Sequence, residues 1–129
     1  MGDGTELGRV RGLGPAQAGE EPWLQQRATA AGNLLLVSFL AISLVLLPDL
    51  SYGSVSEWIR RPVPAVALAA LVVNVFWHAR LGLSELIGDY VHEDGNKFAA
   101  LMLVNFAAAA GIAFGLFFVL KAALAGVSA

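Results

Sequence analysis

The sequence predicts an all-α protein: three transmembrane helices, with a short interfacial helix between the first and second, making up half of a membrane bundle. Three observations predict it. Of the 129 residues, 57% are hydrophobic and 14% charged, where soluble domains carry about 25% charged residues. Mean hydropathy is +0.69. Apolar stretches near the roughly 20 residues needed to cross hydrocarbon recur at about 28–47, 63–90 and 98–120. Three or four helices of this length enclose little interior, so a partner chain is expected.

Residues 1–22 read as a polar N-terminal tail and 23–129 as the three-helix domain. The tail is rich in glycine (Gly2, Gly4, Gly8, Gly12, Gly14, Gly19) and mixed in charge, with too little apolar surface to fold alone. It lacks a basic segment followed at once by an apolar core, which argues against a cleaved secretory signal. Trp23 and Arg27 stand before the first span, where interfacial anchors belong, and Pro48-Asp49 ends it. Ser51 to Arg61 is polar, with Tyr52 and Trp58 as interface residues, and suits a helix lying flat on the membrane.

The second span begins near Pro62 or Pro64, since proline is tolerated in a first helical turn. It is nearly pure hydrocarbon as far as Trp77, then carries polar residues to about Val91. His92 to Lys97 reads as a turn-rich loop. The third span, Phe98 to Leu120, has Asn105 as its only polar side chain and Lys121 at its end. Within it Ala107, Gly111 and Gly115 repeat every four residues, a small-residue face for close helix packing. Three spans put the termini on opposite sides. With the N-terminus inside, five basic residues (Arg9, Arg11, Arg27, Arg80, Lys97) face three outside (Arg60, Arg61, Lys121), which favours that orientation.

Composition also excludes chemistry. A net charge of −2 with no basic tract leaves no electrostatic footprint for nucleic acid. With no cysteine, disulfides, thiolate metal sites and iron–sulfur ligation are ruled out, so any metal or haem must be held by His, Met or carboxylate.

The most informative stretch runs from Trp77 to His92. At 100° per residue, Asn74, His78, Glu85, Asp89 and His92 lie within about 40° of one line, with Gly82 among them. A polar line in lipid is costly and by default marks function. His78 is either hydrogen-bonded to a neighbouring helix or an axial haem ligand, and Gly82 one turn on would let a flat macrocycle approach the backbone. His92 is roughly 21 Å further along the axis, too far to share an iron with His78. A bis-histidine site therefore requires another chain.

Tyr90 and Asp89 are either helix-end interface residues or quinone contacts, a phenol gripping a carbonyl oxygen beside a carboxylate that can hold protons. Glu85 and Asp89 fit a proton path or a salt bridge to a partner. Arg27 is an interface anchor or a contact for haem propionates or the quinone entrance. Arg80, about 160° from His78, fits snorkelling or pairing with a neighbour. The residues alone leave three classes open: a component of a haem and quinone complex, a small proton-coupled transporter, and a haem-free membrane scaffold for a soluble enzyme.

His78-x10-Asp89-Tyr90-Val91, followed by a short loop and a last apolar span, resembles the family of succinate dehydrogenase hydrophobic membrane anchors, the cytochrome b anchors of complex II. So do Leu7-Gly8-Arg9, Arg27-Ala28-Thr29 and the turn Leu47-Pro48-Asp49-Leu50-Ser51-Tyr52. The variant Trp77-His78-x-Arg80-Leu81-Gly82 resembles alphaproteobacterial and mitochondrial-type members, and the likeness covers nearly the whole chain. One departure is Glu85, where other members can carry a neutral amide. The resemblance implies a three-span anchor that pairs with a second three-helix membrane anchor, itself a cytochrome b chain, and docks an iron–sulfur subunit and a flavoprotein. It implies a haem b held by one histidine from each anchor, His78 being this chain's, and ubiquinone contacted by Tyr90 with Asp89 beside it. It further implies a chain not catalytic alone, in the bacterial inner membrane (the mitochondrial one in a eukaryote) with a cytoplasmic N-terminus.

Overall fold

The computed structural model describes residues 17–126, which form four helices and no strand among them. They are α1 (Gln17–Val45), α2 (Tyr52–Arg60), α3 (Pro62–Tyr90) and α4 (Asp94–Leu124). Three are long and apolar enough to cross a membrane: Glu21–Val45 within α1, α3 and α4. At 1.5 Å per residue, the 29 residues of α3 extend roughly 43 Å, longer than a bilayer's hydrocarbon core.

The helix ends differ from the sequence expectation in the first helix and in the last. The first helix is already formed at Gln17, inside the stretch read as polar tail, and it ends at Val45 rather than Leu47. The stretch read as a loop over His92–Lys97 is mostly the first turn of α4. Glu93 caps that turn, its carboxylate accepting from the backbone N–H groups of Gly95 (3.1 Å) and Asn96 (3.0 Å). Lys97 then reaches back to donate to the Gly88 carbonyl near the end of α3 (3.3 Å), so the turn residues tie two helices together.

The short helix occupies the stretch expected, Ser51 serving as its N-cap and Arg61 as its C-cap. Asp49 supports the cap by accepting from the Ser51 backbone N–H (2.9 Å) and hydroxyl (2.5 Å). The Ser51 hydroxyl, then that of Ser54, hold its carboxyl down at about 2. Trp58 is turned inward rather than out to an interface. It is 4% exposed, packs with Leu40 and Ala67, and donates from Nε1 to Ser43 Oγ on α1 (2.6 Å). An indole with a hydrogen-bond partner is cheap to bury, which explains the reversal.

Few other side chains are buried. Leu35 (71% exposed), Val45 (81%) and Phe106 (66%) show how much apolar surface faces outward. So much exposed hydrocarbon has lipid or another apolar chain as its natural cover. Helix α3 is the central element, packing on α1 along one side and α4 along the other. On α4, Gly111 and Gly115 face Phe76 and Val72, as their four-residue spacing predicts. A Cβ at Gly111 would overlap the Phe76 ring, and one at Gly115 would stand 2.5 Å from Val72 Cγ1.

Candidate functional site

The polar line on α3 divides into two halves. Its N-terminal half meets a matching line on α1, where Gln26, Thr29 and Asn33 fall at helical positions i, i+3 and i+7. Antiparallel crossing brings Asn33 to Asn74, Thr29 to His78 and Gln26 to Gly82. The Asn74 amide donates to the Thr29 carbonyl (2.7 Å) and to Asn33 Oδ1 (2.8 Å). Gly32 makes room for it, since a Cβ there would stand 2.9 Å from Asn74 Nδ2. His78, half-buried, has Nδ1 2.9 Å from Thr29 Oγ1.

Gly82 faces α1 as well. A Cβ on it would lie 3.3 Å from the Gln26 amide nitrogen, and Gln26 Oε1 is buried with no hydrogen-bond partner among the described residues. The residue beside Gly82 is thus a polar amide with a free acceptor, an uncommon state for a buried group.

The other half of the line is open. Glu85, Asp89, Tyr90 and His92 are exposed, Tyr90 at 77%. None makes a side-chain hydrogen bond among the described residues, whose one ion pair is the exposed Arg61–Glu57 contact. Arg27 is also exposed. Two residues from Thr29, it points about 160° away from the His78 seam and lays its guanidinium over the Trp23 ring (4.7 Å). Arg80 points to the opposite side of α3, over Trp77 (4.9 Å), and its Nε donates to Asn105 Oδ1 on α4. The lone polar side chain of the third span is therefore a partner for the arginine. Beside them runs an apolar groove of about 340 Å³ lined by Phe76, Leu83 and Ala107 among others, on the α4 side of α3 rather than with His78.

No cluster of three or more metal-binding side chains occurs among the described residues. A haem iron needs only one donor from a given chain, and an imidazole such as that of His78 is of the type that would supply it. With Nδ1 against Thr29 Oγ1, Nε2 has no hydrogen-bond partner among the described residues.

Sequence reasoning placed His78, Gly82, Arg27, Tyr90 and Asp89, and the structure brings only His78 and Gly82 to a common seam. It passed over Thr29, Asn33, Gly32 and Gln26. Their signal was the i, i+3, i+7 spacing of three polar side chains on an apolar helix, the counterpart of the line on α3.

Residues 1–114 match the sequence model of the succinate dehydrogenase/fumarate reductase transmembrane subunits. The succinate dehydrogenase hydrophobic membrane anchor subunit of Rickettsia bellii (strain RML369-C) is 31% identical over 88 residues, which cover 67% of this chain and 70% of that protein.

Proposed function

Because this chain belongs to the succinate dehydrogenase/fumarate reductase transmembrane subunit family, we propose that it is a membrane anchor holding half of a haem b and part of a quinone pocket. It works within succinate:quinone oxidoreductase. The chain catalyses nothing alone. Its partners are a second anchor that would supply the other haem ligand, an iron–sulfur subunit and a flavoprotein, and its N-terminus lies on the cytoplasmic side of a bacterial inner membrane.

The observation that carries this reading is His78, an imidazole within a membrane-crossing helix with one nitrogen engaged by Thr29 and the other unengaged. Haem b, when bound, supplies a one-electron carrier between the iron–sulfur centres and the quinone. The residues of this chain bind and orient. His78 would hold the haem iron through Nε2, and Gly82 would leave the adjoining turn without a side chain of its own to stand against a flat ring. Arg27, at the end of α1 that neighbours the end of α3, offers a cation to a propionate or to the quinone entrance. At the close of α3 the Tyr90 hydroxyl donates to a quinone carbonyl oxygen, and Asp89 next to it holds a proton for reduction. The exposure of Tyr90 and Asp89 supports a pocket completed by other chains of the complex.

The test is the purified complex with His78→Ala and Tyr90→Phe. His78→Ala is expected to abolish the reduced-minus-oxidised haem b spectrum, and an unchanged bis-histidine spectrum refutes the ligand assignment. Tyr90→Phe is expected to slow quinone reduction by on the order of 10²-fold, the lower end of what a positioned proton donor contributes, while succinate oxidation by an artificial dye is retained. Equal activity with both acceptors removes the role given to Tyr90.

A further inference from the structure

His78 is held by a neighbour whose chemistry determines which of its nitrogens can bind iron. Resting on the haem reading above, we propose that Thr29 on α1 is the positioning residue of His78, its hydroxyl oxygen accepting from Nδ1–H so that Nε2 carries the lone pair offered to the iron.

The argument is a count of protons. Thr29 Oγ1 lies 2.7 Å from the Gln25 carbonyl oxygen, 3.1 Å from that of Gln26 and 2.9 Å from His78 Nδ1. A hydroxyl has one hydrogen, and a carbonyl oxygen can only accept. The shortest contact, to Gln25 one helical turn back, takes that hydrogen, a common arrangement for threonine in helices. Thr29 Oγ1 is left as an acceptor facing the imidazole, so Nδ1 is the donor. A neutral imidazole bears one N–H, which leaves Nε2 bare. The opposite polarity, with Thr29 donating to Nδ1, would place the hydrogen on Nε2 and block coordination.

The turn that carries this hydroxyl is itself pinned. Asn74, one turn before His78 on α3, donates to the backbone carbonyl of Thr29, and Gly32 clears the space for it. Thr29 is therefore held through its main chain by one α3 residue while its side chain holds the next. Metal-bound histidines generally give their second N–H to an acceptor that fixes the ring and strengthens its donation, and removing that acceptor typically costs 10–100-fold in affinity. In this chain the acceptor is a hydroxyl on a neighbouring helix, so loss of α1 packing and loss of haem are linked.

The experiment uses the assembled complex with Thr29→Val, close in shape but without a hydroxyl, and Thr29→Ser, which restores one. Haem per complex, haem dissociation rate, the ferric electron paramagnetic resonance spectrum and the haem midpoint potential are read for each. Thr29→Val is expected to release haem on the order of 10- to 100-fold faster. Its midpoint is expected to rise, since weaker donation favours ferrous iron, and Thr29→Ser is expected to return toward wild type. Asn74→Ala is the control for a merely structural role: it loosens the same seam but keeps the hydroxyl that accepts from Nδ1, so it is expected to shift the potential less than Thr29→Val does. Wild-type haem retention and potential in Thr29→Val overturn the proposal, as does an equal shift in Asn74→Ala. Should Thr29→Val fail to assemble, Thr29→Ala removes the hydroxyl without filling the space and is judged by the same readings. His78→Ala separates the two layers: if it keeps a bis-histidine haem, the ligand assignment itself has failed, whereas haem loss there with an unperturbed Thr29→Val defeats this inference alone.

Discussion

The two seams along α3 are built from opposite materials. Toward α1 it presents Asn74, His78 and Gly82, met by Asn33, Thr29 and Gln26 through hydrogen bonds or close polar contact. Toward α4 it presents Phe76 and Val72, which sit against Gly111 and Gly115, with Arg80–Asn105 as the polar exception. Lipid offers no hydrophobic gain for helix association, so both seams must rest on close packing or polar contacts. The α4 seam uses absent side chains to bring apolar groups close. The α1 seam places polar groups where water cannot compete, which is costly unless they are paired or put to use. One seam is a mechanical joint. The other holds the proposed haem ligand.

The comparison breaks most visibly at Gly111. Gly111→Leu places a branched side chain where the Phe76 ring lies, and neither helix can yield without parting. The expected outcome is loss of the assembled complex in a native gel, even though no residue of the α1 seam has changed. Assembly at wild-type yield would show that α4 is not seated on α3 in this register.

A smaller and more discriminating effect comes from Gly32. A methyl group there meets the Asn74 side chain first, 2.9 Å from its Nδ2. Gly32→Ala should therefore cost stability through two hydrogen bonds in lipid, each worth about 0.6 and up to about 1.7 kcal/mol. In an Asn74→Ala background the obstruction is gone, and the same change should stabilise by roughly 0.5–1 kcal/mol, the ordinary gain of alanine over glycine in a helix. A change of sign in detergent unfolding of the complex would establish the contact by its coupling. The same sign in both backgrounds would dissolve the α1 seam as drawn.

The two seams were unequally legible. The spans could be located because hydrocarbon demands about 20 apolar residues, a constraint that acts on sequence directly. The small-residue face of α4 could be read because spacing by four puts Gly111 and Gly115 in one line. The polar line through His78 was legible for the same geometric reason. Its partners were not, since a threonine and an asparagine in an apolar helix carry little weight singly and gain meaning only once α1 is set antiparallel to α3. Trp58 shows a different limit: an indole suits an interface and a core alike, and only the Ser43 acceptor decides between them. Helix ends were blurred because Glu93 caps from its side chain, turning residues that read as loop into the first turn of α4. The open end of α3 was readable only as far as residue types, because Tyr90 and Asp89 have no partner among the described residues.

The smallest expected effect lies at the polar exception of the α4 seam. Asn105→Leu removes the acceptor of Arg80 Nε, yet the guanidinium keeps its place over the Trp77 ring and has further N–H groups to turn toward an interface. The cost should be about 0.6 kcal/mol, and no more than about 1.7, as for other single hydrogen bonds in membranes. Because Arg80 lies about 160° around α3 from His78, the haem spectrum and potential should not move. A potential shift in Asn105→Leu comparable to that of Thr29→Val would mean that the two sides of α3 are electrically one site. The division between a packing seam and a chemical seam would then have to be abandoned, and Arg80 would join His78 among the residues that tune the electron carrier.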